Sequence, residues 1–114
     1  MLASENQVYE ERPSRSQMAY IDNVVSGVAN REEELNAKIQ EFSIGWDVSR
    51  ISRLTRSIMQ LAIFEILYLD DVPTGVAISE AVRLAKMYDG TDTSSFVNGI
   101  LGSFARSLTP EEAK

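Results

Sequence analysis

Apolar residues recur at alternating intervals of three and four along the first third of the chain. The series is Met18, Ile21, Val25, Val28, Leu35, Ile39 and Phe42, and Glu32 fills the single position it skips. Such spacing marks one face of an α-helix and predicts an amphipathic helix of about six turns. Ser14 or Ser16 supplies a cap at its start. Gly27 lies on or beside the apolar stripe. A mid-helix glycine costs about 1 kcal/mol relative to alanine, so this position points to close helix packing or a kink.

Ser43-Ile44-Gly45 interrupts the pattern. A second helix, capped by Asp47 or Ser49, runs to about Leu69 with Ile51, Leu54, Ile58, Leu61, Ala62, Glu65, Tyr68 and Leu69 on one stripe. Asp70-Asp71-Val72-Pro73 ends it, because a residue preceding proline disfavours helical geometry. A third helix begins at Pro73 or Thr74 and continues to Tyr88 on Ala77, Ala81, Leu84 and Ala85, its stripe widened by Ile78 and Val82. Asp89-Gly90 reads as a turn. A fourth helix, capped by Asp92 or Thr93, follows through Phe96, Val97, Ile100, Leu101 and Phe104 and stops at Thr109-Pro110. The β-capable run from Ile63 to Leu69 lies inside a longer helical period without Gly or Pro. The expected fold is all-α, a helical bundle of four main helices. Residues 1–13 form a flexible lead-in, 14–108 the helical domain and 109–114 a frayed tail.

Composition narrows the chemistry. A length of 114 residues suits one small core. With no cysteine and no histidine, the chain has no thiolate or imidazole for nucleophilic, acid–base or metal-ligand work. Asp70-Asp71 is better read as a solvated helix end, with its charges beside the N-terminal dipole of the third helix, than as a metal or catalytic pair. No glycine-rich loop carries the Lys-Ser/Thr of a P-loop. The residues therefore predict a non-enzyme, without cofactor or metal. Met-Leu-Ala-Ser-Glu-Asn at the start lacks the basic and apolar regions of a signal peptide. No apolar run reaches the ~18 residues of a membrane span. A cytoplasmic location is the expectation.

The net charge of −6 argues against a general nucleic-acid binder, since phosphate contacts need a basic face. Arg50, Arg53 and Arg56 nevertheless form a local basic patch at the start of the second helix, either a solvated face or a phosphate contact. Phe96 follows a hydroxyl-rich helix start, where it is either core or a stacking surface for a base. Glu65 falls on the buried stripe, where an unpaired carboxylate is costly. Accepting backbone N–H groups near Val76 and Ala77 is one solution, and contact with a partner is the other. Asn98, beside Gly99, needs hydrogen-bond partners if buried.

Four motifs occur in order: Ala62-Ile63-Phe64-Glu65, Asp71-Val72-Pro73, Val76-Ala77-Ile78-Ser79-Glu80-Ala81 with Leu84-Ala85-Lys86, and Phe96-Val97-Asn98-Gly99. Together with Ser26-Gly27-Val28 and Gly45-Trp46, they resemble the NusB family of bacterial transcription antitermination factors over about residues 17–108. The resemblance implies two small helical subdomains and a role without catalysis. The implied partners are a NusE-type small-subunit ribosomal protein, boxA RNA in nascent ribosomal-RNA transcripts, and the RNA polymerase antitermination complex. By position it places Phe42, Arg56 and Phe96 on the RNA side, where Arg53 of the basic patch joins them as an RNA-binding candidate, and Asp92 where partner and RNA affinity are set. Glu65 and Asn98 remain structural candidates. Family members open with an arginine-rich helix that has no counterpart in the matched region. Ser95 and Gln60 stand where basic residues are common, and Ser79 where asparagine is usual. Loss of the first helix would expose apolar surface on the next one, inviting a homodimer. A protein-interaction module that keeps the fold without RNA binding is the alternative.

Overall fold

The computed structural model describes residues 14–43, 45 and 51–109. Five helices follow one another: α1 (Arg15–Asn30), α2 (Glu32–Glu41), α3 (Arg53–Tyr68), α4 (Thr74–Asp89) and α5 (Thr91–Arg106), with no strand among the described residues. The all-α bundle expected from periodicity is present. The long first helix is not continuous, however. It breaks at Arg31, whose φ of −120° and ψ of 20° leave the helical region.

Local chemistry accounts for several boundaries. α2 begins with Glu32, Glu33 and Glu34 in its first turn, where negative charge complements the helix dipole. Ser52 caps α3, its hydroxyl accepting the Thr55 N–H at 3.0 Å. The other candidate caps, Asp47 and Ser49, lie outside the described residues, as do Trp46, Arg50 and residues 1–13. The Pro73 carbonyl accepts the N–H groups of Val76 and Ala77, each at 3.0 Å, as α4 starts. Gly90 alone joins α4 to α5. Its N–H closes α4 on the Lys86 carbonyl at 3.2 Å, and its own carbonyl accepts the Ser94 N–H at 3.1 Å. A φ of +96° makes that corner favourable to glycine. α5 ends at Arg106, ahead of the expected stop, because Ser107 folds back to donate its hydroxyl to the Phe104 carbonyl at 2.6 Å.

The core is built from Leu35 and Ile39 of α2, Met59, Ile63 and Ile66 of α3, the alanines 77, 81 and 85 of α4, and Val97, Ile100, Leu101 and Phe104 of α5. Small side chains on α4 allow close helix approach, and the α4–α5 pair is the most extensive packing in the domain. α1 contributes less. Gly27 is its one buried residue among those described, with Val24 and Val28 packed half-buried against the core. Met18, Ile21 and Val25, expected on the buried stripe, are instead 59%, 50% and 61% exposed. Packing on α3 turns α1 so that the Val24–Gly27–Val28 face is the one that is covered.

Candidate nucleic-acid interface

The basic patch sits at the N-terminal end of α3. Ser52 fixes that end by capping Thr55 and by donating its hydroxyl to the Asp89 carboxylate at 2.7 Å. Thr55 also donates to the same carboxylate, tying the start of α3 to the end of α4. Hydrogen bonds from Thr55, then from Ser52, hold the Asp89 carboxyl below its ordinary range. Arg53 and Arg56 are thus carried on an anchored helix start.

The two arginines are held differently. Arg53 is exposed, whereas Arg56 is half-buried. Arg56 Nη1 donates to Asn36 Oδ1 at 3.4 Å, and Gln60 Nε2 donates to the same oxygen at 2.8 Å. Gln60 is itself buried. A buried amide therefore orients a neighbouring amide, which in turn steers a guanidinium. Gln60 was legible only as a missing basic residue, and Asn36 carried no signal, since a lone polar residue on a solvated helix face is ordinary. Among the described residues no buried side-chain nitrogen or oxygen lacks a hydrogen-bond partner.

The aromatic candidates are less accessible. Phe42, half-buried after α2, meets Phe104 edge-on, with ring centroids 5.8 Å apart and planes at 72°. Phe96 is only 8% exposed and belongs to the core. Of the two readings of Phe96, core packing is the one the structure displays. At the start of α5, Asp92 is exposed and sets negative charge against the helix dipole. The Ser94 hydroxyl is occupied by the Thr91 carbonyl at 2.8 Å. This end of α5 suits a basic partner better than a phosphate. Asn98 is exposed and so makes no demand for buried partners. Glu65 is half-buried rather than enclosed.

A second polar cluster, unforeseen from the sequence, locks the break between α1 and α2. Arg31 lays its guanidinium over the Tyr68 ring at 4.3 Å and near that of Phe64 at 5.8 Å, and donates to the Gly27 carbonyl at 3.3 Å. The Tyr68 hydroxyl donates to the Glu34 carboxylate, with its two oxygens at 2.8 and 2.9 Å. That hydrogen bond, with some desolvation, raises the Tyr68 pKa above its usual value. Contacts this long-range fix where the helix breaks.

Among the described residues the fold is an all-helical bundle with a basic edge at the start of α3. The NusB family model matches residues 1–106, and the chain belongs to that family. The match starts earlier than the motifs alone indicated. The transcription antitermination protein NusB of Acetivibrio thermocellus is 49% identical over 87 residues, covering 76% of this chain and 60% of that protein. The protein of the same name from Ruminiclostridium cellulolyticum is 36% identical over 103 residues, covering 90% and 71%. The structure of T. maritima NusB superposes with a TM-score of 0.78 at 28% identity, covering 87% of this chain and 70% of that one. The chain thus spans between three-fifths and three-quarters of the length of these relatives. No helix among the described residues is long and apolar enough to cross a membrane.

Proposed function

We propose that the chain is a transcription antitermination factor that pairs with a NusE-type small-subunit ribosomal protein and contacts boxA RNA in nascent ribosomal-RNA transcripts. It acts by binding, without catalysis, as part of the RNA polymerase antitermination complex. The supporting observation is the pair Arg53 and Arg56 on the anchored start of α3, with Arg56 held by Asn36, in a protein whose relatives carry the antitermination name. In this reading Arg53 and Arg56 neutralise phosphates, Phe42 borders the RNA side, and Phe96 shapes the start of α5 from within the core. Asp92 faces the protein partner. Glu65 steadies the α3–α4 corner from its half-buried position, and Asn98 lies on the open side of α5.

The charge of −6 favours a division of labour. A ribosomal protein that must itself lie on RNA is basic, complements this acidic surface and brings most of the phosphate contacts. The same charge supports the second reading, an interaction module that docks the ribosomal protein without touching RNA. Anisotropy of fluorescent boxA-type RNA, with and without the NusE-type protein at two salt concentrations, tests both. Salt-sensitive binding that needs the ribosomal protein and weakens in Arg53→Ala is the expected result. RNA binding unchanged by loss of Arg53 and Arg56 together would overturn the assignment, and docking without RNA would establish the second reading.

A further inference from the structure

We infer that the notch where α1 breaks into α2 is a base-reading subsite, one that takes a single-stranded guanine. The inference rests on the RNA contact proposed above and names what that contact reads. Ala29 and Asn30 at the end of α1, with Glu32, Glu33 and Asn36 of α2, line an open cavity of about 450 Å³. That volume falls within the range of small-ligand sites. The notch lies at the far end of α1 from Ser14, on the turn that the Arg31, Tyr68 and Glu34 contacts lock.

Asn36 points to a ligand. Its Oδ1 accepts from both Gln60 Nε2 and Arg56 Nη1. Two donors meeting on one atom require that atom to be the oxygen, which fixes the orientation of the amide. No described residue accepts from its Nδ2, so both N–H donors are left for the cavity that Asn36 lines. On the same cavity Glu32 and Glu33 are exposed, and their carboxylates only accept. Paired donors thus stand beside paired acceptors.

This pattern selects the ligand. The carboxylates repel a phosphate, so the RNA backbone stays on the arginines of α3 and a base enters. Bases of single-stranded RNA are read on their exposed Watson–Crick edges. Guanine presents there an acceptor, O6, followed by two donors, N1–H and the N2 amino group. It can fill a carboxylate with two parallel N–H bonds while its O6 accepts from Asn36. Adenine and cytosine each offer one amino donor beside an acceptor, and uracil one imino donor between two acceptors, so none of them fills the carboxylate twice. Arg56, bonded to the same Asn36 oxygen, sets the notch beside the phosphate contacts, and a nucleotide can be held at both its base and its backbone.

Anisotropy titrations of the full chain with the NusE-type protein test this with two RNAs. One is a boxA-type RNA containing guanine, and the other carries inosine in its place, which removes only the N2 amino group. Inosine should weaken binding roughly five- to thirtyfold, with the salt slope unchanged because no phosphate contact is lost. Glu32→Gln combined with Glu33→Gln should bind the two RNAs alike. Both side chains are exposed, so helicity should be retained, and the lost negative charge favours any RNA, so a fall specific to guanine cannot be assigned to charge. Asn36→Asp keeps an oxygen for Gln60 and Arg56 but removes both amide donors; it should weaken guanine and inosine RNA equally, because both carry O6. Salt-sensitive binding by the parent that does not distinguish the two RNAs overturns the subsite and leaves the proposed function standing. A guanine preference that survives the double glutamine exchange also overturns it. Absence of RNA binding in every combination overturns both.

Discussion

The backbone of α1 at Gly27 lies directly against the ring of Phe64 on α3, so closely that a Cβ at position 27 would overlap Cζ and Cε1 of that ring. Phe64 is buried and has little room to retreat. Gly27→Ala should therefore destabilise the protein, even though alanine is the better helix former by about 1 kcal/mol. Overpacking costs about 1–3 kcal/mol, so a net loss of up to about 2 kcal/mol is expected in urea denaturation. Phe64→Leu in the Gly27→Ala background should recover part of it. An alanine variant at least as stable as the parent would show that α1 does not need this approach.

Arg53 and Arg56 should separate in RNA binding. Arg53→Ala removes an exposed charge, and should lower the slope of log K against log salt by about 0.7 for a single-stranded target. Gln60→Leu leaves both charges in place but removes the amide that holds Asn36. It should reduce affinity with little change in salt slope, because the lost element is the orientation of Arg56. Titrations at several salt concentrations distinguish the two effects.

Asp89 makes the junction of α3 and α4 acid-sensitive. Its carboxyl is held low by Thr55 and Ser52, so the folded state prefers the carboxylate. The stabilisation is present above the ordinary carboxylate range, near pH ~4, and is lost as pH falls through the lower folded value. Asp89→Asn should be less stable than the parent at neutral pH, with the gap closing toward pH ~2. Denaturation midpoints of both proteins across that range provide the check, and a constant gap would contradict it.

Tyr68 behaves in the opposite sense. Its raised pKa means that the neutral phenol is the form the fold prefers, so its contribution is complete below pH ~10 and is lost as pH rises beyond that. Tyr68→Phe should remove this alkaline dependence. At neutral pH it should cost at most about 1 kcal/mol, the usual size for one partly exposed hydrogen bond. Thermal melts at neutral and alkaline pH would reveal both.

The helical content was readable because the buried positions of α3, α4 and α5 keep the 3.6-residue period, with Ile58, Ala62 and Ile66, then Ala77, Ala81 and Ala85, then Val97, Ile100 and Phe104 each facing inward. Apolar spacing says which face is apolar, but not whether a neighbour exists to cover it. Met18, Ile21 and Val25 therefore fit the pattern and still face solvent. The break at Arg31 was hidden for a related reason. Its determinants, Tyr68 and Phe64, lie more than thirty residues away in the chain, and Glu32 keeps the local period intact. The arginine patch was visible as composition, whereas the Gln60–Asn36–Arg56 relay depends on two helices meeting.

The single-residue corner at Gly90 also bears on the order in which structure is acquired. Closing so short a loop costs little chain entropy, and it joins the two helices that share the largest contact. α4 and α5 are thus expected to form an early hairpin, on which α3 and then α2 condense. α1, with one buried residue among those described and a break at its root, is the last segment to consolidate and the first to release its amide protons to exchange. The helix whose Met18, Ile21 and Val25 face solvent is then also the one whose opening leaves the rest of the bundle in place.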